Sequence, residues 1–498
     1  MSKYVVAFFS GLLFSLGFSP FNLFIFTLIS LSLFLLLLEK SNTLEESFRI
    51  SFIYGLGVWS IGISWVIVSI YYHGNVSLIG SILITSLFIA ILALYKSLIG
   101  IIYFKLRTKF IINCLVLFPF AWVFIETIRG ILFSGFPWLS LGVSISNSSL
   151  SGFLPIIGSS GSSVILCLIS GLILVILNFN NKSSNLKNNA LKVRVISGLF
   201  LIIFISLPPL LLNKISWTDE IAKQKVTIYQ PNLTLDQKWS YEGIAKTRNL
   251  LKNALLKAES KEMIVFPETA FISNKQSREI YFKSLEDLLT KKNILLIAGV
   301  LGESEKGRTN TIKGYGLAEG RYDKIKLVPF GEYVPFSSIL GNLLNFIGIN
   351  ITNMQAGEQF NTIRANGYDI SPTICYEIAF DYIVAETADR SNIFVTLSND
   401  TWFGESIGPY QHLEIAQTRA IEHERSIIRS TNSGISAIIN EKGKVQGNIE
   451  IFGKDSLTSI VSIRKGTTPY SLLKNYPLYL YLLLVFLYLY YKKRTYVT

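Results

Sequence analysis

The chain has 498 residues, half of them apolar and only 16% charged, with a mean hydropathy of +0.43. That composition excludes an ordinary soluble globular protein and indicates a membrane protein with an attached polar part. The net charge of +13 lies largely in short loops between apolar runs, and no zinc-finger, basic-helix or RNA-binding pattern accompanies it, so nucleic acid is excluded as a partner.

Val5–Phe18 is apolar and ends at Ser19-Pro20. It reads as a membrane helix rather than a signal peptide, because a second run, Phe21–Leu38, follows at once with no small-residue cleavage site between them. Further runs lie at about Ile50–Ile70, Leu78–Phe104, Phe110–Ile128, Leu154–Leu177 and Val193–Leu212. Each is long enough, or nearly so, to cross a hydrocarbon layer of roughly 30 Å. The expectation is a membrane domain over residues 1–212 with seven transmembrane helices.

The basic loops orient these helices. Lys40 and Arg49, then Lys105, Arg107 and Lys109, then Lys182, Lys187, Lys192 and Arg194 all fall on one side if the helices alternate. That side is cytoplasmic, and so is the N-terminus. Tyr71-Tyr72-His73 is then an aromatic loop on the outer side. Glu126 and Arg129 sit near the outer end of the fifth run, before Gly135-Phe136-Pro137-Trp138. They read either as a functional pair or as helix-end side chains snorkelling to the interface. The Gly/Ser/Pro-rich stretch from Ser140 to Ser163 reads as a partly embedded loop.

The composition changes at Asn213, opening a polar domain over residues 213–470. Strands are expected at Lys225–Gln230, Glu262–Phe266, Ile294–Val300, Thr373–Cys375, Ile393–Leu397, Ile435–Ile439 and Ile460–Ile463, with a hairpin across Asn310–Leu317 and Tyr322. Helices are expected at Trp239–Ala258, Ser277–Thr290 and His412–His423. Strands alternating with helices predict a layered α/β domain with a site at the strand ends. After it, Tyr470–Tyr491 is an aromatic and leucine run followed by Lys492-Lys493-Arg494, read as a C-terminal transmembrane helix with a cytoplasmic tail over residues 471–498.

Three cysteines with no paired spacing argue against a disulfide framework or a structural zinc site, and three scattered histidines offer no metal cluster. No metal and no cofactor is expected. Cys114 and Cys167 lie in apolar runs, where cysteine packs as a small hydrophobe. Cys375 ends an apolar run inside the polar domain and reads either as a nucleophile or as a buried structural thiol. A nucleophilic thiol needs a base and a fixed positive charge for the oxyanion. Glu268 and Lys324 supply those residue types, although each also has a bland reading, as a helix cap and a surface lysine.

Phe266-Pro267-Glu268-Thr269, Tyr322-Asp323-Lys324-Ile325-Lys326-Leu327 and Cys375-Tyr376-Glu377 resemble the motifs of the nitrilase superfamily. With the multispanning block, the chain resembles one of its families, the bacterial apolipoprotein N-acyltransferases. Leu327–Pro335, Ser398–Gly404, Arg429–Gly434 and the last apolar run are further marks of that family, and the resemblance covers nearly the whole chain. It implies a multi-pass α-helical membrane domain plus a four-layer αββα nitrilase-like domain facing the periplasm, with both termini in the cytoplasm of an inner-membrane protein. It implies catalytic Glu268, Lys324 and Cys375 as base, oxyanion partner and nucleophile, with Glu332, Tyr376 and Glu377 in support. Trp239 matches a tryptophan on a mobile loop over the entrance, and Pro137 and Trp138 match the lipid approach. Lys326 either attracts lipid phosphate or faces solvent. The implied reaction moves a fatty acyl chain from a membrane phospholipid, typically phosphatidylethanolamine, to the diacylglyceryl-cysteine amine of apolipoproteins through a thioester.

Overall fold

The computed structural model describes residues 2–74, 76–178, 187–335 and 353–497, with backbone alone for 187–191 and 493–497. The loop carrying Lys182 lies outside the described residues. The chain forms two compact units, one of Met1–Tyr71, Asn75–Ile215 and Leu473–Thr498, the other of Tyr72–Gly74 with Ser216–Leu472.

The first unit is helical. Leu78–Leu106, Phe110–Ser134, Ser149–Leu177 and Lys192–Lys214 are long and apolar enough to cross a membrane. The first two expected crossings are shorter helices, Lys3–Ser15 and Phe24–Glu39. The third is broken: Leu44–Gly62 and Trp65–His73 meet at 58°, and the two count as a fifth candidate only if taken as one span. The break falls at Ile63, whose φ of −126° leaves the helical range. Tyr71, Tyr72 and His73 therefore belong to a helix and not to the expected aromatic loop. Helices Lys3–Ser15 and Leu44–Gly62 approach closely through glycine, since a Cβ on Gly11 would lie 2.2 Å from the Tyr54 carbonyl oxygen.

The stretch after the fifth run departs from regular helix, as expected. It holds two short 3₁₀ turns, Leu141–Ile145 and Ser149–Phe153. Helix Leu154–Asn178 then begins and breaks at Gly158, where φ is +67°. Arg129 and Glu126 organise the segment between. Arg129 donates to the carbonyls of Phe136 and Trp138, the latter at 2.7 Å. Glu126 Oε1 accepts from the Leu141 amide at 2.8 Å and lies 3.6 Å from Arg129. Both side chains are buried, so the pair ties down a turn instead of snorkelling.

The second unit has thirteen described strands: β1 (Thr218–Gln230), β2 (Met263–Phe271), β3 (Leu295–Ser304), β4 (Gly307–Gly316), β5 (Ala318–Glu319), β6 (Arg321–Asp323), β7 (Ile363–Ala365), β8 (Tyr368–Ile374), β9 (Ile393–Ser398), β10 (Ile427–Thr431), β11 (Ser436–Ile439), β12 (Val445–Ile449) and β13 (Asp455–Gly466). They form two sheets, ordered β13-β1-β2-β3-β4-β6 and β12-β11-β10-β9-β8-β7-β5. In each sheet three central strands run parallel, β1-β2-β3 and β8-β9-β10, and their neighbours are antiparallel. Val226, Val265 and Ile297 of one sheet meet Ile370, Val395 and Ile428 of the other in a common core. Helices cover the outer faces. Leu251, Leu255, Phe282 and Leu289 pack on Ile264, Phe266 and Leu296, while Asp381–Ala388 and Gly408–His423 lie on the second sheet. The fold is the four-layer αββα arrangement, because both faces of each sheet are apolar and must be buried.

Candidate active site

The expected site residues stand at strand ends. β2 and β3 stay in register up to Phe266 and shift before Phe271. Thr269 sits at φ +44° in that break. The bulged Pro267–Glu268 backbone passes close to β3, where a Cβ on Gly299 would lie 2.2 Å from the Pro267 carbonyl oxygen, so only glycine fits there. Lys324 follows β6, and its amide donates to the Asn310 carbonyl on β4 at 2.8 Å.

These two ends bring charges together. Lys324 Nζ donates to Glu332 Oε1 at 2.9 Å and lies 3.5 Å from Glu268 Oε1. Asn310 Nδ2 donates to both carboxylates, at 2.5 Å to Glu268 and 3.1 Å to Glu332. Glu332 Oε2 accepts from the Val328 amide at 2.8 Å, closing its own loop. Burial of Lys324 works against its charge, yet Glu332 and Glu268 outweigh it and hold the ammonium above the ordinary lysine range.

Cys375 follows β8, opens a 3₁₀ turn over Cys375–Ala379, and has φ +51°. Burial pushes its thiol up to about 12, with the Glu268 carboxylate adding to the rise and Lys324 opposing it. The thiol is therefore protonated at neutral pH and reacts only if a neighbouring base accepts its proton.

Glu377 connects the two sides. Its Oε1 accepts from the Tyr322 hydroxyl at 2.9 Å and from the amides of Ile325 and Lys326 at 2.7 and 3.1 Å. Its Oε2 accepts from the Ile374 amide at 2.8 Å. One buried carboxylate thus fixes the segment after Lys324 against the strand leading into Cys375. Burial pushes this carboxyl up to about 7, against the pull of Lys324 and the donated amides. Tyr376 is half-buried and packs edge-on against Phe380 at 4.9 Å. Lys326 lies over the same Phe380 ring at 5.0 Å.

Trp239 is exposed at the end of helix Leu235–Trp239, while its neighbour Lys238 is buried. Lys238 Nζ donates to the Glu268 carbonyl at 2.9 Å and to Thr269 Oγ1 at 2.7 Å, and burial pushes its amine down to about 8. Pro137 and Trp138 lie in the first unit, where Trp138 is buried against Trp65 and Phe136. Sequence reasoning missed Lys238, Asn310 and a buried cluster of Asp400, His412 and Arg429. Asp400 and Arg429 fall in stretches quoted above as family marks. Charged residues inside such stretches are the signal that was available. Asn310 gives none, since its role comes from strand pairing with Lys324. Among the described residues no group of three or more His, Cys, Asp or Glu side chains is placed to hold a metal ion.

A bulged carboxylate, a caged lysine and a thiol in a left-handed turn, set in a four-layer fold, define a carbon-nitrogen hydrolase domain, and residues 225–468 match that family model. Residues 10–172 match the apolipoprotein N-acyltransferase N-terminal domain. The apolipoprotein N-acyltransferase of Photobacterium profundum is 32% identical over 489 residues, covering 95% of this chain and 91% of that protein. That of Haemophilus influenzae is 34% identical over 494 residues, covering 96% and 92%. A crystal structure of a Saccharomyces cerevisiae member of branch 10 of the nitrilase superfamily is 15% identical, covering 50% of this chain and 92% of that one, with a TM-score of 0.37. The chain belongs to the apolipoprotein N-acyltransferase family.

Proposed function

We propose that the chain transfers a fatty acyl group from a membrane phospholipid, phosphatidylethanolamine in the first instance, to the α-amine of a diacylglyceryl-cysteine lipoprotein. Cys375 Sγ attacks the ester carbonyl while Glu268 takes the thiol proton. Lys324 stabilises the oxyanion. The carbon–oxygen bond breaks, the leaving alkoxide takes the proton from Glu268, and a lysophospholipid departs from a thioester. The acceptor amine then attacks that thioester and loses its proton to Glu268. The Cys375 thiolate leaves and takes the proton back. Glu332 and Asn310 keep Lys324 and Glu268 in register through both halves, and Tyr376 and Glu377 support the nucleophile's turn.

The observation that carries this reading is Lys324 held at 2.9 Å by Glu332 and 3.5 Å from Glu268. The cation is thereby kept charged beside a base and a thiol that cannot ionise unaided. The proposed setting is an inner membrane crossed by seven helices before the polar unit and one after it, with that unit in the periplasm and both termini in the cytoplasm. Trp239 would guard the entrance, and Pro137 and Trp138 the lipid approach. The test is intact mass after incubation of the full chain in detergent with phospholipid. A covalent acyl adduct on the wild type that is absent from C375A, and is discharged by a diacylglyceryl peptide, is expected. Release of free fatty acid or ammonia with no lipid-dependent adduct would overturn the assignment in favour of an amidase.

A further inference from the structure

Cys375 takes a backbone conformation that residues with a Cβ rarely adopt, with φ +51°, and such a conformation persists only where its surroundings hold it. The peptide that follows the thiol is held from behind. His412 Nε2 lies 3.1 Å from the Cys375 carbonyl oxygen. A carbonyl only accepts, so Nε2 carries a proton and donates. The other face of the imidazole is fixed too. His412 Nδ1 is 3.0 Å from Arg429 Nη2 and 3.1 Å from Asp400 Oδ1, and Arg429 Nη2 donates to Asp400 Oδ2 at 2.6 Å. Ser398 donates to the same carboxylate, and Arg429 Nε donates to the Ile435 carbonyl at 3.2 Å.

His412, Asp400 and Arg429 come from three separate elements: helix Gly408–His423, the turn after β9, and β10. All three are buried. Burying this many polar groups is unfavourable unless they satisfy one another, and through His412 the set reaches the carbonyl of Cys375. Burial works against the charge of Asp400, yet Arg429 and His412 outweigh it and hold the carboxyl well below the usual carboxylate range, so the anchor stays ionised.

We infer that His412 is a positioning residue for Cys375. Its Nε2–H pins the peptide after the thiol, and Asp400 and Arg429 pin the imidazole, so that Sγ faces Glu268 and Lys324. The inference rests on Cys375 being the nucleophile. It assigns the imidazole no proton transfer, and it makes the donor at Nε2 the feature that matters.

Three variants separate that donor from simple packing. H412Q keeps an N–H near the Nε2 position, H412N has an amide too short to reach, and H412L fills space with no donor. Acyl-enzyme formation on the full chain in phospholipid–detergent micelles is followed by intact mass at several lipid concentrations, with thermal melting in parallel. The expectation is that H412L and H412N acylate about a hundredfold more slowly at saturating lipid, the loss typical of a misplaced reacting group. Half-saturation should move less than twofold, and H412Q should recover at least a third of the wild-type rate. Wild-type acylation speed in H412L or H412N would overturn the inference, as would H412Q losing as much as H412N while both melt lower. If H412L does not fold, the H412Q and H412N pair gives the same reading. A wild type that forms no adduct refutes the nucleophile itself, and that result is distinct from failure of the positioning role.

Discussion

Lys324→Met removes the one ammonium between two carboxylates and leaves them facing each other. Both accept from Asn310 Nδ2, at 2.5 and 3.1 Å, so their oxygens lie no further apart than the sum of those distances, about 5.6 Å. Two unit charges at about 5.6 Å repel by about 3 kcal/mol at an effective dielectric of about 20. Unfolding separates the two carboxylates and relieves that repulsion, so the variant loses about that much stability at neutral pH. For a domain of about 250 residues, about 3 kcal/mol corresponds to about 6 to 12 °C in melting temperature. Melting of K324M should fall by that amount relative to the wild type at pH 7, and the double variant K324M/E332Q, with one charge of the pair removed, should recover most of it. Acyl-enzyme formation should be abolished in both. A single variant that melts with the wild type, or a double variant that melts as low as the single one, would refute the account of a shared cation.

Glu377→Gln places an amide donor against the Ile374 amide or the Tyr322–Lys326 donors, so it should cost about 1–3 kcal/mol and lower the acylation rate, read by melting and by adduct formation. Lys238→Met tests a buried amine whose folded value, about 8, is below its ordinary 10.5. Lys238 contributes stability above about pH 10.5 that is lost as pH falls through about 8, so the melting temperature of K238M minus that of the wild type should decrease from pH 7 to pH 10. Arg129→Ala leaves two carbonyls and a buried carboxylate without their cation. It should cost about 3–5 kcal/mol, seen as a lower melting temperature and lower yield of folded protein in detergent.

The layered fold was legible because strand ends in α/β proteins collect polar groups, and Glu268, Lys324 and Cys375 were singled out because they stand in recognisable runs. Glu377 was legible only as a neighbour of the thiol. Its four accepted hydrogen bonds join residues 322 to 326 to residue 374, and no local pattern records that. Lys238 is a charged residue in a short helix beside an exposed tryptophan, and such a lysine ordinarily points to water. It turns inward because the bulge at Glu268–Thr269 presents acceptors there. The Glu126 and Arg129 pair was visible as an oddity, but its purpose depends on a turn made by Phe136, Trp138 and Leu141. The bend at Ile63 was invisible, since the hydropathy of the run continues across it.

The first and last strands of the polar unit pair along almost their whole length, from Thr218 with Gly466 to Gln230 with Asp455. This ordering constrains biogenesis. β1 is made first and can take β2 as its parallel partner early, but its other edge stays open until β13 has been synthesised. An open edge strand is a template for pairing with another chain, and closing so distant a contact is slow. The nascent unit therefore stays vulnerable until its last strand arrives. The final apolar helix, Tyr476–Val497, begins ten residues beyond the end of that strand at Gly466, so completion of the sheet and emergence of the last hydrophobic segment nearly coincide.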